Sequence, residues 1–214
     1  MGGTTSEPSH LDKFGGVSLM LSGALFLVKA MLDWRAGMPP SNGAEILEWT
    51  SSHQALLAWT NEVLFFATGM LVPGAFALYE TLGAKHPRSA SVGCGMLALT
   101  IPLLAALDIV HGRLVFPVFG LSIRSPDVAE LVVALYQGGI HAVLLLFTIA
   151  TIALSVAMLR AGFGRGVAAL GFVTAALDVA GSYPWLIGPV PTLICGVFFA
   201  GWLVVVGARL YRRS

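Results

Sequence analysis

An apolar run closes on three ionisable side chains at Leu103-Leu104-Ala105-Ala106-Leu107-Asp108-Ile109-Val110-His111-Gly112-Arg113. A charge near the centre of a membrane-spanning helix costs roughly 2.5 to 3.5 kcal/mol on insertion scales, so an ionisable residue inside a span indicates a functional site. On a helix, Asp108 and His111 are i, i+3 neighbours on one face. The run therefore predicts a membrane helix that carries part of a site.

Composition extends this prediction to all 214 residues, of which 57% are hydrophobic and 11% charged, with a mean hydropathy of +0.84. Ordinary soluble domains contain about 25% charged residues. The expected fold is all-α, a single polytopic membrane domain over residues 1–214 that is surrounded by membrane lipids. A net charge of +1 argues against a nucleic-acid partner, because such a partner requires a basic face that neutralises several phosphates.

Six apolar runs are long enough to cross a bilayer, for which roughly 20 residues are needed. A polar tail at about residues 1–13 precedes them and lacks the features of a signal peptide. A short interfacial helix at about 44–53, with Trp49 at headgroup level, is expected in the first outer loop. The spans of this six-helix bundle are predicted at about residues 16–34, 54–79, 90–115, 128–159, 166–185 and 187–210.

Basic residues predict the orientation of the bundle. Arg35 and Arg124 are the clear basic loop residues on one side. Cytoplasmic loops carry the excess of Lys and Arg, so both termini are expected in the cytoplasm, with the protein in the inner membrane of a bacterium. The basic residues assigned to the cytoplasmic side are Lys13, Lys85, Arg88, Arg160, Arg165, Arg209, Arg212 and Arg213.

Depth along each span follows from the helix rise of about 1.5 Å per residue, which places Glu62 and Asp178 roughly 12 Å below the outer surface. Other polar side chains fall in the same outer half. Polar groups at membrane depth must contact each other or water, so we expect one outward-open polar cavity with an apolar floor. Lys29 is interpreted as snorkelling toward the interface, with Asp33 as a compatible partner one turn later.

A neutral carboxylic acid in an apolar pocket can act as a general acid. We therefore expect Glu62 or Asp178 to donate a proton to a lipophilic small molecule, with Asp108 and His111 as the base and His141 as a further catalytic residue. The expected reaction is of the isomerase, cyclase or hydrolase type. Trp59, Asn61, Arg113, Tyr136, Gln137 and Tyr183 are the predicted substrate-binding residues.

Simpler interpretations remain open for several of these residues. Asp108 and Arg113 can form a structural ion pair at the membrane edge. His111 can be an interfacial histidine bonded to a backbone carbonyl. Tyr183 and Trp185 have the character of interfacial belt aromatics.

No metal or cofactor is predicted. Glu62, Asp108, His111, His141 and Asp178 include ligand types for Zn or Fe, but no HxxxH or HExxH spacing occurs. Haem ligation by His111 and His141 would join residues at different depths. Nucleotide-binding and serine-hydrolase motifs are also absent from the sequence. Cys94 and Cys195 are interpreted as small packing residues.

The end of the second span reads Ala77-Leu78-Tyr79-Glu80-Thr81-Leu82 and is followed by Lys85-His86-Pro87-Arg88-Ser89-Ala90. With the span lengths and the long first outer loop, this resembles an uncharacterised bacterial family of six- to eight-helix membrane proteins known only as a domain of unknown function. The resemblance implies a multi-pass fold and no activity.

Two other function classes stay open. A proton-linked carrier would use the same polar groups, although the two halves of the chain show no internal repeat. An accessory or assembly subunit would pack through small-residue faces such as Gly93-Cys94-Gly95 and Gly138-Gly139, as would a homo-oligomer or a larger membrane complex.

Overall fold

The structure is a computed structural model that describes residues 10–213. These residues form helices and connecting turns, with one isolated bridge between Val118 and Leu121, so the all-α prediction is confirmed. The eight helices are α1 (His10–Ala36), α2 (Gly43–Ser52), α3 (Gln54–Gly83), α4 (Pro87–Val115), α5 (Pro126–Ala161), α6 (Arg165–Gly181), α7 (Pro184–Ile187) and α8 (Pro189–Tyr211).

Five of the described helices, α1, α3, α4, α5 and α8, are long and apolar enough to cross a membrane. This confirms a polytopic membrane protein. Helix α6 has 17 residues and spans about 25 Å at the usual rise, somewhat less than a hydrocarbon core of about 30 Å. The count of six spans therefore stays a prediction.

The six longer helices close into a ring. Each packs against its neighbour in the order α1, α3, α4, α5, α6 and α8, and α8 packs back against α1. The α1–α8 contact is close because two glycines meet: a Cβ atom on Gly207 would lie 2.5 Å from the carbonyl oxygen of Gly16. Small residues of this kind let membrane helices approach to backbone contact.

The ring has two unlike ends. The basic end contains the turns at residues 84–86 and 162–164 and the end of α8. At the α2 end, helix α2 packs against α5, α4 and α3. The half of the ring nearer the basic end is filled by fully buried apolar side chains, among them Leu71, Leu78, Leu154, Met158, Val206 and Leu210.

At the basic end, Arg213 fastens the end of α8 to the α5–α6 turn. Its guanidinium donates hydrogen bonds to the carbonyl oxygens of Ala161 (2.9 Å) and Gly162 (2.6 Å) and lies 4.1 Å from the ring centre of Phe163. Burial, and secondarily the charge of Arg209, lower the pKa of Arg213. These contacts of Arg213 therefore hold the end of α8 against the α5–α6 turn.

Helix α2 corresponds to the short helix predicted in the first loop, and it closes over the ring. Its N-terminus is capped by the Asn42 side chain, and the Gly43 N–H donates to the Glu130 carboxylate at 2.7 Å. Ile46 is buried beneath it. The indole N–H of Trp49 donates to the Ala36 carbonyl at 3.0 Å, so Trp49 joins α2 to the end of α1.

One predicted boundary, the end of the fifth span, is wrong. Helix α1 begins at His10 and so includes the last residues of the predicted polar tail, while residues 1–9 lie outside the described part of the chain. The predicted fifth span ends early, at Gly181, and the chain turns through the single-turn helix α7 before α8 starts at Pro189. Proline is favoured in the first turn of a helix, where its missing N–H is not needed, and Pro184 and Pro189 both occupy that position.

Candidate functional site

A cavity of about 220 Å³ lies inside the ring below α2. Every helix of the ring contributes to its wall. Its floor is apolar and aromatic: Phe199 packs edge-on to Phe26 at 5.3 Å between ring centres and lies 4.7 Å from Phe147. Leu64 and Leu104 extend the floor across α3 and α4. The predicted arrangement, polar groups above an apolar floor, is present here with a different set of residues.

An ion pair from α1 lines the cavity. The Lys29 ammonium lies 2.5 Å from the Asp33 carboxylate, one helical turn away, and their side chains are 14% and 44% exposed. The Lys29 ammonium also interacts with the phenol of Tyr136 on α5. The interpretation of Lys29 as a snorkelling side chain is wrong, because the ammonium faces the cavity instead of the lipid interface.

His111 lines the cavity from α4. Its Nδ1 lies 2.6 Å from Oδ1 of Asn61 on α3, and its ring stacks on Tyr136 at 4.4 Å between centres. An amide oxygen can only accept, so Nδ1 carries the proton and Nε2 keeps its lone pair. The partner of His111 is a side chain and not the backbone carbonyl considered above, and the pairing leaves one nitrogen free to accept a proton.

Asp178 lines the cavity from α6 and is 1% exposed. Its Oδ2 atom has no hydrogen-bond partner among the described residues. Buried carboxylate oxygens are almost always paired, so an unpaired one that borders a cavity requires explanation. Cys195 on α8 lies beside it, and Gln137 on α5 adds an amide to the wall. Of the predicted site residues, the cavity therefore contains His111, Asp178, Tyr136 and Gln137.

Glu62 and Asp108 lie elsewhere, in a groove on the outside of the ring between α3 and α4. Glu62 is exposed, and Asp108 is half-buried with an Oδ1 atom that has no partner among the described residues. Successive helix positions are about 100° apart, so with Asn61 turned toward His111 the Glu62 side chain is rotated out of that contact, and it is exposed. The prediction that both carboxylates face the cavity is wrong.

Arg113 is also in this groove, and its guanidinium binds backbone. It donates hydrogen bonds to the carbonyl oxygens of Phe116 at 3.0 Å and Leu121 at 3.1 Å. The structure contains no ion pair between Asp108 and Arg113. The predicted role of Arg113 in the cavity is therefore wrong.

The other predicted residues also lie outside the cavity wall. His141 pairs through Nδ1 with the Ser182 carbonyl at 2.9 Å, and its ring lies 4.8 Å from Tyr183. This group joins α5 to the α6–α7 turn, so His141 and Tyr183 position backbone here. Trp59 is 65% exposed on the outside of α3 and does not contact the cavity. Asn61 lies behind His111 and contacts the groove.

Within the described ranges, no three His, Cys, Asp or Glu side chains lie close enough to hold a metal ion. His111 and His141 belong to different sites and bond to Asn61 and Ser182, which does not fit a shared haem. The expectation of no metal and no cofactor stays a prediction.

Comparison with known proteins adds no family: no family model, no curated protein and no solved structure matches the chain. The resemblance to a bacterial family of unknown function stays a prediction. A function for this chain must be argued from the cavity itself.

Sequence reasoning missed Lys29 and Asp33 as cavity residues. A signal was available, because Phe26, Lys29, Ala30 and Asp33 follow the i, i+3, i+4, i+7 spacing of one helix face. Asp33 lies at the polar rim of the cavity, and Phe26, at the other end of that helix face, lies at its apolar floor.

Proposed function

We propose that the chain is a membrane-embedded enzyme that performs acid–base chemistry on a small lipophilic molecule bound in the cavity. The observation that carries this proposal is that Asp178 and His111 line the same cavity. Asp178 presents an unpaired buried carboxyl oxygen, and His111 presents a free ring nitrogen. They lie on different walls of a cavity whose floor is apolar.

The two groups suit a proton-transfer reaction. His111 Nε2 takes a proton from the substrate, and the carboxyl group of Asp178 delivers one to a second position on it. The ammonium of Lys29 and the phenol of Tyr136 supply hydrogen-bond donors for a substrate oxygen that gains negative charge between the two proton transfers. One proton enters and one leaves without change in oxidation state, as in an isomerase or a cyclase.

The cavity also limits the size of the reacting group. A volume of about 220 Å³ lies somewhat below the roughly 300–1,000 Å³ of pockets that hold drug-sized ligands. The reactive part of the substrate is therefore small, and its apolar side rests on Phe26, Phe147 and Phe199.

The same proposal includes the topology. Helix α6 crosses with the five candidate spans, and the basic end faces the cytoplasm of a bacterial inner membrane, as the excess of Lys and Arg there favours. Both ends of the described chain are then cytoplasmic, and the cavity opens outward below α2.

An accessory subunit is the alternative with one supporting observation. Gly138 has open space around its Cα on the outside of α5, whereas Gly139 packs against Leu107. A partner helix could approach closely there. Replacing Gly138 by Leu would release such a partner and would leave an enzyme unaffected.

The deciding experiment compares two acid-to-amide variants in cells whose lipid extract changes when the protein is produced. Asp178→Asn removes the proton donor, so formation of the product should fall by about 10² to 10⁴-fold. Glu62→Gln makes the same chemical change outside the cavity and should leave product formation intact. Size-exclusion chromatography checks that both variants fold. Loss of product with Glu62→Gln alone would contradict the assignment.

A further inference from the structure

The turn between α4 and α5 has a defined backbone geometry. Val118 and Leu121 form a bridge through two backbone hydrogen bonds, at 3.2 Å and 2.9 Å. The two residues between them, Phe119 and Gly120, have φ angles of 53° and 75°. This is a tight two-residue hairpin turn, outside the cavity and at the α2 end.

Phe119 is an unusual residue for this position. Turns with two positive φ angles favour Asn, Asp or Gly, since a bulky L side chain is disfavoured in the left-handed region. Among residues 10–213, Phe119 is the one non-glycine residue with a positive φ. A residue kept in a disfavoured conformation points to a constraint that the conformation serves.

No packing among the described residues compensates for this conformation, because Phe119 is 99% exposed. Leu121, across the bridge, is 70% exposed. Large apolar side chains that are presented together on a turn indicate contact with something outside the chain.

The turn is held rigidly on α4. The guanidinium of Arg113 donates to the carbonyl oxygens of Phe116 and Leu121, on either side of the turn. With the Val118–Leu121 bridge, these bonds give partners to the backbone groups of Phe116, Val118 and Leu121. The backbone groups of Phe119 and Gly120 have no partner among the described residues, so the tip fits the hydrated headgroup boundary and not the hydrocarbon interior.

We propose that this turn inserts into the lipid leaflet at the α2 end, with Phe119 at the boundary between headgroups and acyl chains. The turn follows α4 directly, a helix long and apolar enough to span. Phe116 and Val118 line the groove between α3 and α4, which contains the apolar Ile109 and Phe65 together with the carboxylates of Glu62 and Asp108. Such a mixed surface fits the boundary between headgroups and acyl chains, where interfacial segments bury apolar side chains such as Phe.

The charges around the turn agree with a lipid surface as partner. Arg113 at its base and the exposed Arg124 after it are cationic, and residues 116–121 include no acidic residue; the carboxylates of Glu62 and Asp108 lie in the groove that Arg113 also lines. Cationic side chains near the headgroups attract lipid phosphates. The turn therefore combines an apolar tip with a cationic base, as membrane-inserting segments do.

Spin-label accessibility tests this directly. Phe119→Cys is made in a chain whose buried Cys94 and Cys195 are replaced by Ala, labelled with a nitroxide, and placed in nanodiscs of phosphatidylethanolamine and phosphatidylglycerol. Collisions with oxygen report the lipid phase, and collisions with a nickel chelate report water. Ser41→Cys, exposed in the loop before α2, is the matched control.

We expect oxygen collisions to exceed nickel collisions at residue 119 and the reverse at residue 41. Nickel accessibility at residue 119 equal to that at residue 41 would overturn the proposal, since the turn would then project into water. Protection from both reagents would overturn it as well, because a protein would then cover the turn. Leu121→Cys gives the same readout if the label at residue 119 prevents folding. None of these outcomes depends on the proposed enzymatic activity.

Discussion

Asn61 and His111 meet at 2.6 Å across the α3–α4 contact, and the amide oxygen decides which ring nitrogen of His111 holds the proton. The pair connects two regions of the molecule, because His111 contacts the cavity and Asn61 contacts the outer groove. Metal-free histidines that act as bases are commonly oriented in this way by a second group.

A double-mutant cycle measures the coupling between the two side chains. Asn61→Leu leaves a buried imidazole N–H without its acceptor and should lower the free energy of unfolding by about 1–3 kcal/mol. Replacing both residues by Leu removes donor and acceptor together and should be less harmful than the sum of the single changes. Denaturant unfolding in detergent micelles gives the three values. Strict additivity would mean that the pair contributes nothing.

Cys195 and Cys94 should differ in chemical accessibility although both are buried. Cys195 borders the cavity, whereas Cys94 lies in the apolar core between helices. A small, membrane-permeant methanethiosulfonate should therefore modify Cys195 much faster, because a cavity admits the reagent and a close-packed core does not. Mass spectrometry of peptides over time follows both sites in one sample. Equal rates would indicate that the cavity is closed to small molecules.

Two glycines on α8 provide a matched test of the ring closure. Gly207→Ala places a methyl group 2.5 Å from the carbonyl oxygen of Gly16 and should destabilise the protein by about 1–3 kcal/mol. Gly201, six positions earlier on the same helix, has no atom within 4 Å of its Cβ position. Gly201→Ala should be neutral or stabilising, by up to about 1 kcal/mol, through helix propensity. Equal effects in thermal unfolding would contradict the α1–α8 contact.

Cysteine labelling tests the proposed topology. Ser41→Cys lies at the α2 end and should react with a membrane-impermeant maleimide added outside intact cells with a permeabilised outer membrane. Lys85→Cys, exposed at the basic end, should react only after the inner membrane is opened. Labelling of residue 85 from the outside would reverse the orientation.

Composition predicts the class of the fold, and the helix rise predicts the depth at which the cavity lies. Neither predicts which side chains line the cavity. Counting residues along α3 gives nearly the same depth for Asn61 and Glu62, yet one contacts His111 and the other faces outward. Rotation about the helix axis separates them, and hydrophobic periodicity reveals rotation only when one face is polar. These helices are apolar on almost every side.

The end of the predicted fifth span illustrates a second limit. The apolar pattern predicts that this span continues to Trp185, but α6 stops at Gly181, and His141 bonds to the Ser182 carbonyl in the turn that follows. That bond joins residues 41 positions apart, and no local pattern specifies it. A tertiary contact therefore determines where this helix ends, and the local sequence does not.

The closure of the ring by α8 also sets an order of assembly. Thr192, Cys195 and Phe199 complete the wall around the cavity, and they are synthesised after every other helix of the ring. Until α8 docks between α6 and α1, the Lys29–Asp33 pair and Asp178 face an unfinished side, where lipid is the neighbour. Charged groups that contact lipid raise the free energy of the partly assembled bundle. Docking of α8 is therefore favoured by covering these charges as well as by packing.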